Sequence, residues 1–221
     1  CSTDSSLEIA KNYAKTDSRI IIISNTTNKK LPKSLNIGHK AAKGAFLTWT
    51  SDDNLLKSNH IELIYSTLLV KDVDLVYSDY DIIDENGLLK RKHIAGPTEH
   101  LLFGNKIGAS FMYKKEVFEA IGGFNESLFL LEDYDFWLRA SIGFKFQHLQ
   151  ENLYQYRLHN SSLTTNIKLD KLKKERSEQT DAWRKRLSKT GYSSRMLPII
   201  LEKAGAAGVL TSNWSSGFGV D

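Results

Sequence analysis

The sequence predicts an α/β fold with a mostly parallel sheet flanked by helices. Helices and short apolar strands alternate through the first third of the chain, and this order favours parallel strands joined by right-handed crossovers. Acidic residues directly follow two of these strands, as Asp52–Asp53 and as Asp79. Ligands of open α/β sheets bind beyond the C-terminal ends of the strands. We therefore expect a binding site where these acids lie.

Six segments carry the alternation. Helices are predicted at 7–14, 34–43 and 59–69, and strands at 19–24, 46–50 and 73–77. The first strand contains four consecutive isoleucines, Ile20–Ile23, and such a β-branched run is typical of a strand buried on both faces. The second helix ends at Gly44, a residue type favoured at helix C-termini.

The second half of the chain is less regular. An edge strand and a mobile loop are predicted within 88–103, and the stretch 128–140 is predicted to end in a helix. Further predicted elements are strands at 107–113, 144–149 and 153–156, and helices at 115–121, 168–187 and 195–206. We divide the chain into a main domain at 1–165, a C-terminal helical extension at 166–206, and a linker or the start of a further domain at 207–221.

Composition narrows the classes of function. The net charge of +4 is compatible with an anionic small-molecule substrate or an anionic membrane surface, but it is too diffuse to favour nucleic acid. The single cysteine, Cys1, excludes a disulfide within the chain and a cysteine-based zinc site, so a reducing compartment is expected. No apolar run approaches the length of a membrane span.

The pair Asp52–Asp53 is a candidate metal site. Adjacent carboxylates repel each other, and a cation would relieve that repulsion. Hard oxygen ligands suit Mg²⁺ or Mn²⁺, which usually also bind substrate phosphates. The alternative is a solvated turn, since Asp and Asn are common turn residues.

Asp133 is a candidate catalytic base. It shares a helical face with Phe136, Trp137 and Ala140, so a carboxylate lies in the middle of an apolar surface. The helix dipole favours its ionised form, whereas the apolar face disfavours it, and this balance suits a base. The alternative is an acid that only caps a well-packed helix.

His159 lies in a polar loop after the last predicted strand. A neutral imidazole there could complete the coordination of a metal held by Asp53, although a lone histidine is more often structural or exposed. Taken together, the three sites indicate phosphate-linked group transfer. A divalent ion would neutralise a leaving diphosphate, and a carboxylate would accept a proton from an attacking hydroxyl.

Four segments, in order, resemble the motifs of family 2 glycosyltransferases of the GT-A fold, over roughly residues 1–165. They are Cys1–Leu7, which resembles the tail of the nucleotide-binding loop; Asn36–Gly44, which resembles an Asn-x-Gly-x-x-x-Ala-x-Gly helix; Thr48–Asn54, which resembles the metal-binding region; and Gly122–Arg139 with Tyr156–His159, which resemble the acceptor-side motif and the closing loop.

This resemblance implies a role for each matching residue. Asp133 would be the general base, Glu132 would shape the acceptor site beside it, and Asp53 and His159 would bind Mn²⁺ or Mg²⁺. Asp79 and Gly108–Ser110 would line the sugar and acceptor cleft. The implied donor-binding residues are Asp4, Asn36, Gly38, Asp52, Asp79 and Arg157.

The resemblance implies direct displacement, with inversion, from a nucleotide-sugar such as a UDP-sugar to a glycan, lipid-linked or protein acceptor. It places the protein in bacterial surface polysaccharide or glycoconjugate synthesis, in the cytoplasm or at the inner face of the membrane, with peripheral membrane contact through a longer parent protein. A nucleotidyltransferase and a non-catalytic nucleotide-sugar or glycan-binding module are the alternatives.

Three departures from the family pattern stand in this sequence. Ser51 occupies a position where the family often has a first Asp, and Leu35 one where it often has a basic residue. The first strand and the base-binding loop of the fold are missing before Cys1. We expect such a fragment to be poorly stable and inactive by itself, because a missing strand exposes a sheet edge.

Overall fold

The centre of the fold is a nine-residue strand, Leu75–Ile83, in which every residue is buried. The computed structural model describes residues 1–160, 162, 178 and 181, without the side chains of 102 and 103. The predicted segments at 166–206 and 207–221 therefore lie outside the described residues, apart from Glu178 and Asp181. Within the described part of the chain, no helix is long and apolar enough to cross a membrane.

In order along the chain, the helices and strands are α1 Ser6–Thr16, α2 Lys30–Ala41, β1 Phe46–Leu47, β2 Leu55–Leu56, α3 His60–Lys71, β3 Leu75–Ile83, β4 Leu89–His93, a 3₁₀ helix Thr98–Phe103, β5 Phe111–Lys114, α4 Lys115–Ile121, α5 Glu132–Ala140 and β6 Phe146–Arg157. The predicted alternation is found only in part, because among the described residues α2 follows α1 without a strand between them and two short strands lie between α2 and α3. The α/β class is confirmed.

The sheet is mixed, and this corrects the expectation of mostly parallel strands. The strand order is β1-β5-β3-β6-β2, with β4 paired to β3. Within the described residues, β3 and β6 form a parallel pair, whereas β1–β5, β2–β6, β3–β4 and β3–β5 are antiparallel. The prediction assumed that successive strands pair through crossovers. Instead β4 follows β3 through a tight turn, which permits only antiparallel pairing.

The predicted strand at 19–24 is wrong. Ile20–Ile23 belongs to no β-ladder among the described residues. Ile20, Ile21 and Ile23 are 39%, 67% and 44% exposed. Apolar, β-branched side chains favour a strand, but a strand forms only where a neighbouring strand accepts its backbone hydrogen bonds.

Two apolar layers cover the sheet. On one side α3 packs Ile64 and Leu68 against Val76 of β3. On the other side α4 and α5 enclose an aromatic core in which Phe136 and Trp137 are fully buried, which confirms the prediction that these two residues belong to the core. His39 of α2 reaches this core, where its ring contacts Phe118 and Phe124.

The last strand, β6, joins two predicted short strands into one. Its register against β3 shifts where Ser78 pairs with Leu149, Asp79 with Asn152 and Tyr80 with Tyr154. The residues of β6 that this shift leaves without a partner on β3 are Gln150, Glu151 and Leu153, at and next to the predicted gap at 150–152. The shift displaces the end of β6 relative to β3 and so sets where Tyr154 and the following residues lie.

Candidate active site

The first part of the site is a carboxylate–imidazole pair formed by residues far apart in the sequence. His159 Nε2 lies 3.0 Å from Asp53 Oδ2. Asp53 is in the loop between β1 and β2, and His159 follows β6, so the antiparallel β2–β6 pair brings them together. The sequence predicted both as metal ligands.

One observation indicates that the Asp53–His159 pair suits a divalent cation. Asp53 Oδ1 is buried and accepts no hydrogen bond from the residues that the structure describes. A buried carboxylate oxygen without a partner is costly, and a cation would relieve that cost. No group of three or more Asp, Glu, His or Cys side chains suited to a metal occurs within 1–160. The protein would thus supply two ligands, as is usual for ions that also bind substrate phosphates.

Arg157 fixes the loop that carries Asp53. Its Nε donates to Asp53 O at 2.9 Å, and its Nη1 donates to Asp84 O at 3.1 Å and to Glu85 O at 3.0 Å. Its backbone N–H donates to Asn54 Oδ1 at 2.8 Å. The guanidinium thus ties three backbone carbonyls together. The contact of Arg157 with a donor stays a prediction. The bonds that the structure shows hold the loop that carries Asp53, and so position the Asp53–His159 pair.

Asp133 lies in the first turn of α5 and is half-buried. Its Oδ2 accepts a hydrogen bond from Asn105 Nδ2 at 2.7 Å, and its Oδ1 accepts one from Tyr134 N at 2.7 Å. Both donors stabilise a carboxylate in one orientation. Sequence reasoning missed Asn105, whose one signal was an amide side chain in the turn between Gly104 and Gly108.

Glu132, the neighbour of Asp133, is buried. It is 3% exposed, and its Oε2 has no hydrogen-bond partner among the described residues. Burial, and then the charge of Asp133, raise the pKa of Glu132 to about 7. A residue that shapes an acceptor site through its side chain would need contact with that site. The structure places the Glu132 side chain inside the protein. Its role in shaping the acceptor site therefore stays a prediction.

Tyr80 of β3 and Tyr154 and Tyr156 of β6 form a tyrosine cluster. The ring of Tyr80 lies 6.4 Å from that of Tyr154 and 6.2 Å from that of Tyr156. Burial raises the pKa of Tyr80, and the charge of Asp133 adds to that rise. At the other end, the hydroxyl groups of Tyr154 and Thr50 lie 2.7 Å apart, at the start of the loop that carries Asp53.

Gly108 allows this cluster to form. Its φ is +71°, and a Cβ at this position would collide with the Tyr80 ring. Ser110, two residues later, is fully buried and bonds to Ser78 Oγ at 2.6 Å. The expectation that Gly108–Ser110 lines a cleft is therefore wrong for Ser110, because a fully buried side chain cannot face a ligand.

Asp79 anchors a loop beside the site. Its Oδ1 accepts a hydrogen bond from Ala95 N at 2.8 Å and lies 2.7 Å from His148 Nε2. His148 stacks on Tyr77, whose hydroxyl donates to Gly96 O at 2.7 Å. Contact between Asp79 and a sugar stays a prediction. The observed bonds give it the role of fixing the loop after β4.

Asn36 holds the turn before α5 through a clasp, which is a pair of hydrogen bonds between its side chain and the backbone of Phe124. Its Nδ2 donates to Phe124 O at 2.9 Å, and its Oδ1 accepts from Phe124 N at 2.8 Å. Gly123 is required beside it, because its φ is +78° and a Cβ would lie 2.7 Å from Asn36 Oδ1. The clasp joins α2 to the segment that leads into Asp133. Contact between Asn36 and a donor stays a prediction.

The remaining predicted donor-binding residues are exposed. Asp4 Oδ1 accepts a hydrogen bond from Ser6 N at 3.0 Å, at the start of α1. Its bonds with Ser6 lower the pKa of Asp4. Gly38 has open space around its Cα, so a Cβ there would meet no atom within 4 Å. Asp52 is exposed beside Asp53. All three remain predictions.

Comparison with known proteins identifies the family of the chain. The sequence profile described as "Glycosyl transferase family 2" matches residues 1–126. An uncharacterised glycosyltransferase of Methanocaldococcus jannaschii is 30% identical over 175 residues, which make up 75% of this chain and 60% of that protein. Glycosyltransferase GlyG of Streptococcus pneumoniae is 32% identical over 85 residues, which make up 38% of this chain and 28% of that protein.

Solved structures show the same fold. The structure of residues 1–349 of S. aureus TarS in complex with UDP-GlcNAc aligns with a TM-score of 0.63 and 16% identity, over 76% of this chain and 50% of that chain. At this identity the likeness concerns the fold alone. The profile covers more than half of the chain, and the matched residues include the loop that carries Asp53. The chain therefore belongs to glycosyl transferase family 2.

Proposed function

We propose that this protein transfers a sugar from a nucleotide-diphosphate sugar to an acceptor hydroxyl with inversion, using Asp133 as the base. The observation that carries the proposal is the fixed carboxylate of Asp133, which accepts hydrogen bonds from Asn105 and Tyr134. The TarS complex with UDP-GlcNAc supports a UDP-sugar as the class of donor.

The two centres divide the chemistry between them. Asp133 takes the proton of the acceptor hydroxyl while the acceptor oxygen forms a bond to the anomeric carbon. The bond from that carbon to the diphosphate oxygen breaks at the same time, and the nucleoside diphosphate leaves with the electron pair. Asp53 and His159 would hold Mn²⁺ or Mg²⁺, which supplies positive charge to the leaving diphosphate.

Neighbouring groups orient the carboxylate of Asp133. The hydrogen bonds from Asn105 and Tyr134 fix the carboxylate in position, and α5 directs its positive end toward it. Arg157 fixes the loop that carries Asp53 through its bonds to Asp53 O and Asn54 Oδ1.

We propose a role in surface polysaccharide or glycoconjugate synthesis at the cytoplasmic side of the membrane, with a glycan, lipid-linked or protein acceptor. The matched part of this chain spans 60% of the M. jannaschii protein, and we propose the activity for the whole protein. A non-catalytic nucleotide-sugar-binding module is the second candidate, because within the described residues Asp53 and His159 would supply only two ligands to a metal ion.

The test uses the whole protein, with Mn²⁺ and a panel of UDP-sugars, and measures UDP release and product formation. Asp133→Asn keeps the shape of the side chain, and we expect it to lower the rate by about 10²–10⁴-fold. Asp72→Asn, an exposed acid after α3, is the matched control and should retain the parental rate. Equal rates for Asp133→Asn and the parent would exclude Asp133 as the base. Donor binding without turnover by the parent would favour the binding module.

Two further measurements test the finer features of the proposal. Asp53→Asn should raise the Mn²⁺ concentration needed for half-maximal rate, because it weakens a charged ligand next to His159. The anomeric configuration of the product, read by NMR, should be opposite to that of the donor. Retention of configuration would contradict the direct displacement.

A further inference from the structure

The hairpin of β3 and β4 combines exposed aliphatic side chains with consecutive cations. Leu88, Leu89 and Ile94 are 66%, 56% and 67% exposed. Between them lie Lys90, Arg91 and Lys92, which are exposed on β4. Within residues 1–160 none of these three cations takes part in an ion pair. We propose that this hairpin docks on an anionic lipid surface.

The hairpin presents these side chains on a well-defined backbone. Asp84 Oδ1 accepts hydrogen bonds from Asn86 N and Leu88 N, both at 2.9 Å. Gly87 has a φ of +85° and donates to Asp84 O at 3.1 Å. Arg157 Nη1 holds the same turn through Asp84 O and Glu85 O. Little ordering of the tip is therefore required when the hairpin binds.

The chemistry of the patch matches the boundary of a bilayer. Leucine and isoleucine side chains enter the region between headgroups and acyl chains, and Lys and Arg bind the phosphates of anionic lipids. Lysines on an edge strand also prevent pairing with other sheets. That role alone would favour polar neighbours, whereas here three large aliphatic side chains are exposed beside the lysines. A partner that takes both kinds of side chain explains the combination.

The strand reaches both ends of the candidate active site. At the turn, Arg157 links the hairpin to Asp53 O. At the end of β4, His93 stacks on Tyr80, with ring centroids 4.3 Å apart. Tyr80 lies against Gly108, whose N–H donates to Asn105, the hydrogen-bond partner of Asp133. Docking through β4 would place the site beside the lipid surface, within reach of a lipid-linked acceptor. This last consequence rests on the proposed function, whereas docking itself does not.

The test measures co-sedimentation of the full chain with vesicles of phosphatidylcholine that contain phosphatidylglycerol, against vesicles of phosphatidylcholine alone. We expect binding to the anionic vesicles only, falling as salt is added. The double variant Lys90→Glu/Lys92→Glu should bind at least about tenfold more weakly. Its matched control, Lys11→Glu/Lys71→Glu, makes the same change in net charge at exposed positions of α1 and α3 and should bind almost as the parent does.

A second pair of variants tests the aliphatic contribution. Leu88→Ser/Leu89→Ser should bind more weakly at all salt concentrations, whereas Leu69→Ser/Val70→Ser, at positions 56% and 81% exposed on α3, should not. Thermal unfolding of each variant confirms that it folds. The proposal would be overturned if the parent did not bind anionic vesicles, or if the charge-matched control lost as much binding as Lys90→Glu/Lys92→Glu. It would also be overturned if the parent bound polyglutamate, a soluble polyanion, but showed no preference for the anionic vesicles. No step uses a sugar donor, so an inactive transferase would leave the vesicle result standing.

Discussion

Asn105 Nδ2 donates a hydrogen bond of 2.7 Å to Asp133 Oδ2, and this bond joins the loop before β5 to the first turn of α5. The same amide accepts from Gly108 N at 3.4 Å through its Oδ1. Asn105 thus connects the glycine that accommodates Tyr80 to the candidate base. The position of the Asp133 carboxylate depends on a residue in another element.

We predict that Asn105 is a positioning residue for the reaction. Asn105→Ala should lower kcat by about tenfold and leave the KM for the donor almost unchanged, because the bond orients the base and does not touch the donor. Steady-state kinetics of the whole protein measure both constants. Asn12→Ala, on the exposed surface of α1, is the control and should change neither. An increase in donor KM with kcat intact would contradict a positioning role.

Asn36 should contribute strongly to stability. Asn36→Ala removes the donor and the acceptor that pair with the backbone of Phe124 in a buried position. We expect a loss of about 2–4 kcal/mol in the free energy of unfolding, because two backbone groups lose their partners. Urea unfolding measures it. A loss within about 0.5 kcal/mol, as expected for an ordinary surface substitution, would show that the clasp is dispensable.

Two glycines should respond in opposite directions to alanine. Gly108→Ala should cost about 2–4 kcal/mol, because its Cβ collides with Tyr80 and its φ of +71° is strained for alanine. Gly38→Ala lies within α2 in open space and should stabilise the protein by about 0.5–1 kcal/mol. Thermal unfolding compares them. If Gly38 also contacts the donor, Gly38→Ala will raise the donor KM of a more stable protein.

Glu132 should make stability depend on pH. Its folded-state pKa of about 7 lies above the ordinary value of 4.5. The folded state therefore binds more protons than the unfolded state between these values, and stability is lost as pH rises through them. Glu132→Gln removes this dependence. It should be more stable than the parent at pH 8 by on the order of 2 kcal/mol, and near parity at pH 5.

The measurement is urea unfolding of parent and variant at both pH values, read as a difference between the two proteins. Burial lowers the pKa of His60 to about 4, so its contribution runs the other way, with stability lost as pH falls from about 6.5 toward 4. This contribution is present in both proteins and cancels in the difference. Glu8→Gln, an exposed acid on α1, is the control. An unchanged pH dependence in Glu132→Gln would show that Glu132 is ionised when folded.

Local features of the fold were predictable because they depend on neighbours in sequence. The helix predicted at 115–121 coincides with α4, and the predicted edge strand within 88–103 corresponds to β4. The prediction of a strand at 19–24 was wrong because a strand also depends on residues far away in the sequence. Its isoleucines fit a strand, but a strand also needs a partner, and no pattern within four residues contains that information.

The candidate site was predictable in its residue types and only partly in its contacts. Asp53 and His159 were proposed as one metal site and lie together. Asn105 was missed, and Arg157 and Asp79 form backbone and loop contacts that no motif indicates. Each of these bonds joins residues at least 16 positions apart, so each depends on the packing of separate elements.

The sequence by itself determined the family and the α/β class, and it identified Asp53, Asp133 and His159 as candidate site residues, because motifs and periodicity are written in short stretches. The tertiary structure decided the rest. The register of β6 against β3 and β2 brings His159 to Asp53, 106 positions away, and the loop before β5 brings Asn105 to Asp133. Sheet register depends on all the strands together, and a shift of a single residue would separate these pairs.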